Sequence, residues 1–253
     1  MDILAAKKIT KTYNSNSLSF NALNGIDLRI KAGEFVGIMG ASGSGKTTLL
    51  NLLSGIDKAT TGSIEIQEKS IDTLNNDSLA IFRRQKTGFV FQDFSLLDSL
   101  TIKENIILPM TLQKKDVHEV EKKAHEVLKL LDISDIANKY PFQTSGGQQQ
   151  RAAIGRALAN DPVIIFADEP TGNLDSRSSS SVMTYFEKVN KERQCTVLMV
   201  THDAFAASFC HRIIFIKDGC VDSEMIKDCE RKKFFDKLLA HLSKIGGNIS
   251  DVQ

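Results

Sequence analysis

The sequence carries almost no surplus charge. Lys and Arg number 32 against 31 Asp and Glu, a formal net charge of +1 over 253 residues. No overall basic field points to nucleic acid, and none is expected as a partner. Long hydrophobic runs are missing as well: no stretch approaches the roughly 18 apolar residues of a membrane span. The start Met1-Asp2-Ile3-Leu4 lacks a charged region followed by a long apolar core, so the chain is expected to stay in the cytosol. Cysteine is scarce. Cys195, Cys210, Cys220 and Cys229 have neither the tight pairwise spacing of a zinc site nor the density of a disulfide scaffold, and they read as reduced thiols. Internal repeats and low-complexity linkers are absent too. What remains is 42% hydrophobic and 25% charged, which argues against disorder and fibres and suits one large α/β core.

Two hydrophobic patterns divide the chain. Ile26, Leu28 and Ile30 alternate with polar residues, and Ile64 and Ile66 repeat the alternation, which predicts half-exposed strands of antiparallel character near the N-terminus. Phe35 to Met39, Gly88 to Phe91, Val163 to Ala167 and Thr196 to Val200 are instead short apolar runs, as in strands buried on both faces of a parallel sheet. These runs end at Gly40, Gln92, Asp168 and Thr201-His202. Open α/β sheets bind ligands outside the carboxyl ends of their strands, so four segments point to one site. Val117, Val120, Ala124, Val127, Leu128 and Leu131 follow helical spacing, and a further helix is expected to start near Gly147 and to stop at Asn160-Asp161-Pro162. The expected organisation is one domain over 1–253 with a helical insertion at 93–160 and a tail at 226–253.

The chemistry is carried by short motifs. Gly40-Ala41-Ser42-Gly43-Ser44-Gly45-Lys46-Thr47 matches a phosphate-binding loop between an apolar strand and a helical segment. Glycines let backbone N–H groups turn toward phosphate oxygens, and the helix N-terminus adds its positive end. Gly40, Ser42, Gly43, Ser44, Gly45, Lys46, Thr47 and Thr48 are the candidate contacts. Lys46 is expected to reach the β and γ phosphates, and Thr47 to ligate Mg²⁺. Asp168 closes the run Val163-Ile164-Ile165-Phe166-Ala167, where a carboxylate can hold Mg²⁺ through its hydration shell, and Glu169 follows to polarise an attacking water.

Thr144-Ser145-Gly146-Gly147-Gln148-Gln149-Gln150-Arg151 discriminates further, because most phosphate-loop enzymes have nothing like it. It resembles the signature of the ATP-binding cassette (ABC) ATPases, with Thr144 where many members have Leu. Ser145 also suits a plain helix cap, and both readings can hold together. The resemblance spans nearly the whole chain. It implies an α/β fold: a P-loop ABC cassette with a RecA-like parallel-sheet core, an N-terminal antiparallel β subdomain and an inserted α-helical subdomain. It implies that Tyr13 stacks on adenine and that Gln92 contacts Mg²⁺ or water and links the site to a membrane partner. Ser145, Gly147 and Gln148 are implied to meet the γ-phosphate held by a second copy, Asp175 to couple two sites across the dimer, and His202 to touch the γ-phosphate. An ATP-dependent homodimer, an integral membrane permease subunit and, through it, a sensor kinase are the implied partners. The implied location is the inner face of the cell membrane, reached through the permease.

Longer strings narrow the family. Gly88 to Leu97, Thr101 to Ile106 and Phe166 to Asp175 resemble the MacB, LolD and FtsE branch; Val200 to Cys210 and Ile213 to Gly219 are similar to the Bce-type ATPases. Those work with a large permease against antimicrobial peptides such as bacitracin. A LolD- or FtsE-like role in lipoprotein release or cell division is the alternative, and behind it stand a soluble ABC ATPase and a regulatory module that never turns over. In the tail, Phe234, Phe235, Leu238, Leu239, Leu242 and Ile245 make an apolar stripe among Arg231, Lys232, Lys233, Lys237 and Lys244. Such a helix either packs on its own domain or docks on a membrane or partner.

Overall fold

The computed structural model describes residues 1–15 and 18–246. In chain order its elements are β1 (Asp2–Ser15), β2 (Leu18–Lys31), β3 (Phe35–Met39), α1 (Lys46–Leu53), β4 (Thr61–Ile66), β5 (Lys69–Ser70), α2 (Asn76–Lys86), β6 (Thr87–Val90) and α3 (Ile102–Thr111). Then follow α4 (Val117–Leu130), α5 (Gly146–Leu158), β7 (Ile164–Asp168), α6 (Ser176–Arg193), β8 (Thr196–Val200), α7 (Ala204–Ala207), β9 (Arg212–Lys217), β10 (Cys220–Ile226) and α8 (Arg231–Gly246).

The alternating segments form an antiparallel sheet of order β2-β1-β4-β5, in which Ile26, Leu28, Ile30, Ile64 and Ile66 are buried while Asp27, Arg29 and Lys31 face water. The unbroken apolar runs form a second sheet of order β10-β9-β3-β8-β7-β6, parallel except for its β9–β10 edge pair. Period-two alternation explains why its inner strands are apolar throughout. Val36, Ile38, Ile164, Phe166, Leu198 and Val200 join one core with α1 and the antiparallel sheet. Phe35, Met39, Ile165, Ala167, Val197 and Met199 join the other with α5, α6 and α8.

The run Gly88 to Phe91 departs from its expected burial on both faces. β6 is the sheet edge, so Phe89 and Phe91 are only half-buried and stack on each other with ring centroids 4.3 Å apart. Val117 also leaves the predicted apolar face: it opens α4 and is 71% exposed, whereas Val120, Ala124, Val127 and Leu128 are buried. In the tail helix, Phe234 and Leu238 are buried, Phe235 and Leu242 are partly buried against the core, and Leu239 is exposed. The Ile245 side chain and residues 247–253 lie outside the described residues.

Side-chain caps set the segment between β6 and β7. Thr101 and Glu104 close a capping box at the start of α3. Asn105 is fully buried because its amide satisfies the preceding loop: Oδ1 accepts Leu97 N–H at 2.8 Å, and Nδ2 donates to the carbonyls of Leu97, Leu100 and Thr101. Gln150, on α5 and also fully buried, donates to Phe91 O at 3.2 Å and Pro170 O at 2.7 Å. That bond pair ties α5 to the segments that leave β6 and β7.

Candidate active site

The residues that follow β3, β7 and β8 are stitched side by side. Thr201 N–H donates to Ile38 O at 3.1 Å, and Glu169 N–H to Val200 O at 2.9 Å. A cavity of about 440 Å³ opens there, lined by Tyr13, Phe20, Ala22, Gly40, Ser42, Gly43, Gly45, Lys46, Thr47, Thr48, Glu169 and His202.

Its floor is the glycine-rich loop. Gly45 has φ 99°, and a Cβ there would come within 2.6 Å of Ala22 O, so glycine meets both a conformational and a spatial demand. α1 begins at the next residue with no side-chain cap, whereas α2 to α7 are capped by Asn75, Thr101, Asp116, Ser145, Asp175 and Asp203. The first N–H groups of a helix have no partner inside it, so α1 leaves donors and the positive end of its dipole open toward the cavity. Lys46 adds a cation, its Nζ held by Gly40 O at 3.0 Å and Ala41 O at 2.8 Å. Burial pulls the Lys46 ammonium below the ordinary lysine range, against the opposing pull of Glu169 and Asp168. This donor set fits a polyphosphate.

Thr47 Oγ1 donates to Asp168 Oδ1 at 3.3 Å. Burial raises the Asp168 carboxyl above its usual range; the Thr47 bond opposes this and the Glu169 charge adds to it. A hydroxyl beside a carboxylate in need of positive charge is the oxygen set that Mg²⁺ takes, so Thr47 and Asp168 are the residues that would hold the ion. Bound there, Mg²⁺ would neutralise phosphate charge.

Glu169 sits at φ 44°, a left-handed conformation uncommon for a side chain other than glycine, asparagine or aspartate. The turn aims its carboxylate at His202: Oε1 lies 2.9 Å from His202 Nδ1, and Oε2 accepts the His202 N–H at 3.3 Å. The Glu169 side chain is 16% exposed and that of His202 71%, so a sheltered carboxylate is held by an imidazole that reaches into the cavity. Such a carboxylate can orient an attacking water, and the imidazole can donate to a phosphate oxygen.

Other candidates lie off this cavity. Ser44 is 6% exposed, with its Oγ buried and without a hydrogen-bond partner among the described residues. Gln92 exchanges bonds with Asn173, its Nε2 donating to Asn173 Oδ1 at 3.3 Å and its carbonyl accepting from Asn173 Nδ2 at 3.1 Å. Ser145 and Gln148 form a reciprocal capping box at the start of α5. Asp175 caps α6, accepting from Arg177 N–H, Ser178 N–H and Ser178 Oγ. Gly147 lies against Ser178, where a Cβ would approach Ser178 Cβ to 3.1 Å. The N-termini of α5 and α6 are therefore neighbours; neither lines the cavity that holds Lys46, but Ser176 and Ser179 of α6 share an adjoining pocket with Glu169 and His202.

Phe20 and Ala22 are cavity residues that no motif in the sequence marks. Phe20 pairs with Tyr13 across β1 and β2, and that register follows several shifts along the pair. Phe20 stands out only in the structure, as an aromatic left 61% exposed on a strand, and Ala22 is buried.

The sequence profile of the family described as ABC transporter matches residues 23–172. The chain is 50% identical to the uncharacterized ABC transporter ATP-binding protein YvcR of Bacillus subtilis, covering 100% of this chain and 98% of that protein. It is 47% identical to the bacitracin export ATP-binding protein BceA of Halalkalibacterium halodurans, over 99% of this chain and 100% of that one. Among solved structures, the dimeric post-hydrolysis state of the ATP-binding cassette MJ0796 of Methanocaldococcus jannaschii, bound to ADP and Pi, is 45% identical, with TM-score 0.81 over 88% of this chain and 98% of that one.

Proposed function

We propose that this chain, which belongs to the ABC transporter family, is the motor subunit for a separate membrane permease that acts against antimicrobial peptides. Its fold is the RecA-like ATPase fold of that family, and ATP hydrolysis is its reaction. The carrying observation for the cargo is full-length similarity, over both chains, to a protein named for bacitracin export. Tyr13 takes the base, the loop from Gly40 to Thr48 takes the phosphates, Thr47 and Asp168 take Mg²⁺, and Glu169 and His202 take the water and the γ-phosphate.

The motor acts as a head-to-tail homodimer. Ser145, Gly147 and Gln148 lie away from their own chain's cavity, and MJ0796, a cassette of similar sequence and fold, is described as dimeric. A two-fold pairing lets each signature turn complete the partner's site. Gln92 and the segment from Asp93 to Asn105 carry the motion to the permease. Supporting this, an open groove of about 460 Å³ presents Ile56, Phe91 and Leu112 together with Arg83, Arg84 and Arg156, and Arg156 also donates to Phe94 O at 3.0 Å. No described helix is long and apolar enough to cross a membrane, so the membrane path is assigned to the partner subunit.

The test is a cell whose only copy carries Glu169→Gln. It is expected to become sensitive to bacitracin or a related peptide while the permease level stays constant. Unchanged tolerance with failing lipoprotein sorting or division would replace this reading with a LolD- or FtsE-like role.

A further inference from the structure

We propose that Asp57 and Lys11 are positioning residues for the base end of the nucleotide cavity, holding the Tyr13 ring at a set distance from the phosphate loop. This rests on the reading that Tyr13 stacks on the base. Tyr13 OH donates to Asp57 Oδ2 at 3.2 Å. Lys11 Nζ lies 2.8 Å from Asp57 Oδ1 and 2.7 Å from Oδ2, donates to Lys58 O at 2.8 Å, and stands 4.9 Å from the centre of the Tyr13 ring. The Lys11 side chain is only 12% exposed, so the pair is partly shielded from solvent. Neither Lys11 nor Asp57 lines the cavity; both reach it through Tyr13.

The anchor is tied to the phosphate end. Asp57 N–H donates to Asn51 O at 3.1 Å, as does Ile56 N–H at 2.9 Å, which fixes the turn to the last part of α1. The first residue of α1 is Lys46, and eight residues of helix span about 12 Å. The same segment is laced to β1, with Thr60 N–H on Thr10 O at 2.9 Å and Thr12 N–H on Thr60 Oγ1 at 2.9 Å. One continuous path therefore runs from the loop along α1 to Asp57 and on to Tyr13. An aromatic ring left 45% exposed on a strand would otherwise be free to exchange between staggered χ1 rotamers. Its hydroxyl bond and the ammonium over its face restrict that freedom before ATP arrives, which lowers the entropic cost of binding the base.

The test compares, on the full chain, ATP with inorganic tripolyphosphate, which has no base. Asp57→Ala is expected to raise the KM for ATP by about fivefold, with kcat and tripolyphosphate affinity unchanged. Tyr13→Phe, which keeps the ring and drops the hydroxyl, is expected to weaken ATP binding by about the same factor, and the double substitution by no more than either single one. Asp57→Asn, which keeps an acceptor for the hydroxyl, recovers part of the loss. If Asp57→Ala does not fold, Tyr13→Phe carries the comparison. Unchanged ATP affinity in Asp57→Ala and Tyr13→Phe, with a large loss in Tyr13→Ala, overturns the positioning role and leaves stacking intact. Unchanged affinity in Tyr13→Ala removes stacking and the positioning role together. Equal losses for ATP and tripolyphosphate, or losses that multiply in the double variant, overturn the proposal by making Asp57 a support of the loop.

Discussion

His202 Nδ1 lies 2.9 Å from Glu169 Oε1, and the His202 backbone N–H holds the other carboxylate oxygen at 3.3 Å. The two residues follow neighbouring strands, β7 and β8, and the left-handed turn at Glu169 is what brings its carboxylate across. Strain of this kind persists where the surroundings over-determine it, here through the Glu169 N–H bond to Val200 O.

From this pair comes the first prediction. Glu169→Gln keeps the shape of the side chain but removes the charge proposed to orient water, so phosphate release is expected to fall by about a thousandfold while ATP still binds. His202→Ala frees the carboxylate and removes a donor to phosphate, lowering kcat by about a hundredfold. Because the two act together, the double variant is no slower than Glu169→Gln. Steady-state phosphate release by the purified variants measures all three, and near-normal turnover by Glu169→Gln would remove its role.

The second prediction concerns assembly. Glu169→Gln is expected to sediment as a dimer with MgATP and as a monomer with MgADP. Ser145→Arg, which places a bulky charge at the N-terminus of α5, should abolish the ATP-dependent dimer without weakening ATP binding to the single chain, because Ser145 does not line its own cavity. Sedimentation with saturating nucleotide decides it. A persistent monomer would leave the site with one chain only.

Much of this geometry is legible in the order of residues alone. Gly40, Asp168 and Thr201-His202 each end an apolar run, and a parallel sheet brings strand ends to one edge, so Lys46, Glu169 and His202 meet because topology demands it. Ser145 is readable as a helix start for the local reason that its oxygen accepts an N–H group in the first turn; Asp175 does the same for α6, which no sequence pattern marks. Features that depend on long-range placement are not readable in this way. Phe20 reaches the cavity through a cross-strand register, Asp57 through the length of α1, and the half-burial of Phe91 through the position of β6 at a sheet edge. None of these leaves a period or a spacing in the chain.

The third prediction is a pH dependence of stability. Burial opposes the charge on Glu34, but hydrogen bonds from Arg212 and the Lys31 N–H, with the Arg212 charge, hold its carboxyl below the usual glutamate range. Arg212 Nε is 2.7 Å from Glu34 Oε1, and the two side chains are 14% and 15% exposed. A depressed folded-state value means that the unfolded chain takes up the proton first as pH falls. The pair therefore stabilises fully above the ordinary glutamate range near 4.3 and loses its contribution as pH drops toward the lower folded value. Glu34→Gln should cost about 2 kcal/mol at pH 7, measurably less at pH 4, and progressively less as pH falls toward the folded value. Urea midpoints of both proteins at the two pH values measure this, and a cost that does not change with pH would mean that packing, not charge, is lost.

The fourth prediction uses the thiols, whose reactivity reports which parts of the fold open. Cys210 is fully buried and its thiol is pushed up strongly by burial, with the Lys227 charge pulling weakly the other way. Burial, with a smaller contribution from the Asp161 charge, pushes Cys195 up to about 12. Cys220 is exposed and Cys229 half-buried at the surface beside α8. Only the thiolate attacks a disulfide reagent, and at pH 8 a thiol titrating near 12 is ionised in about one molecule in ten thousand. Burial adds a second barrier, because the reagent must also reach sulfur through closed packing. Ellman's reagent at pH 8 should therefore titrate two thiols quickly in the native chain and all four in guanidinium. Cys220→Ser should remove one of the fast pair and leave the slow pair untouched. A third fast thiol in the native protein would show that the packing around β8, or between α7 and β9, opens on the time scale of labelling, and would make Cys195 or Cys210 a probe of that opening.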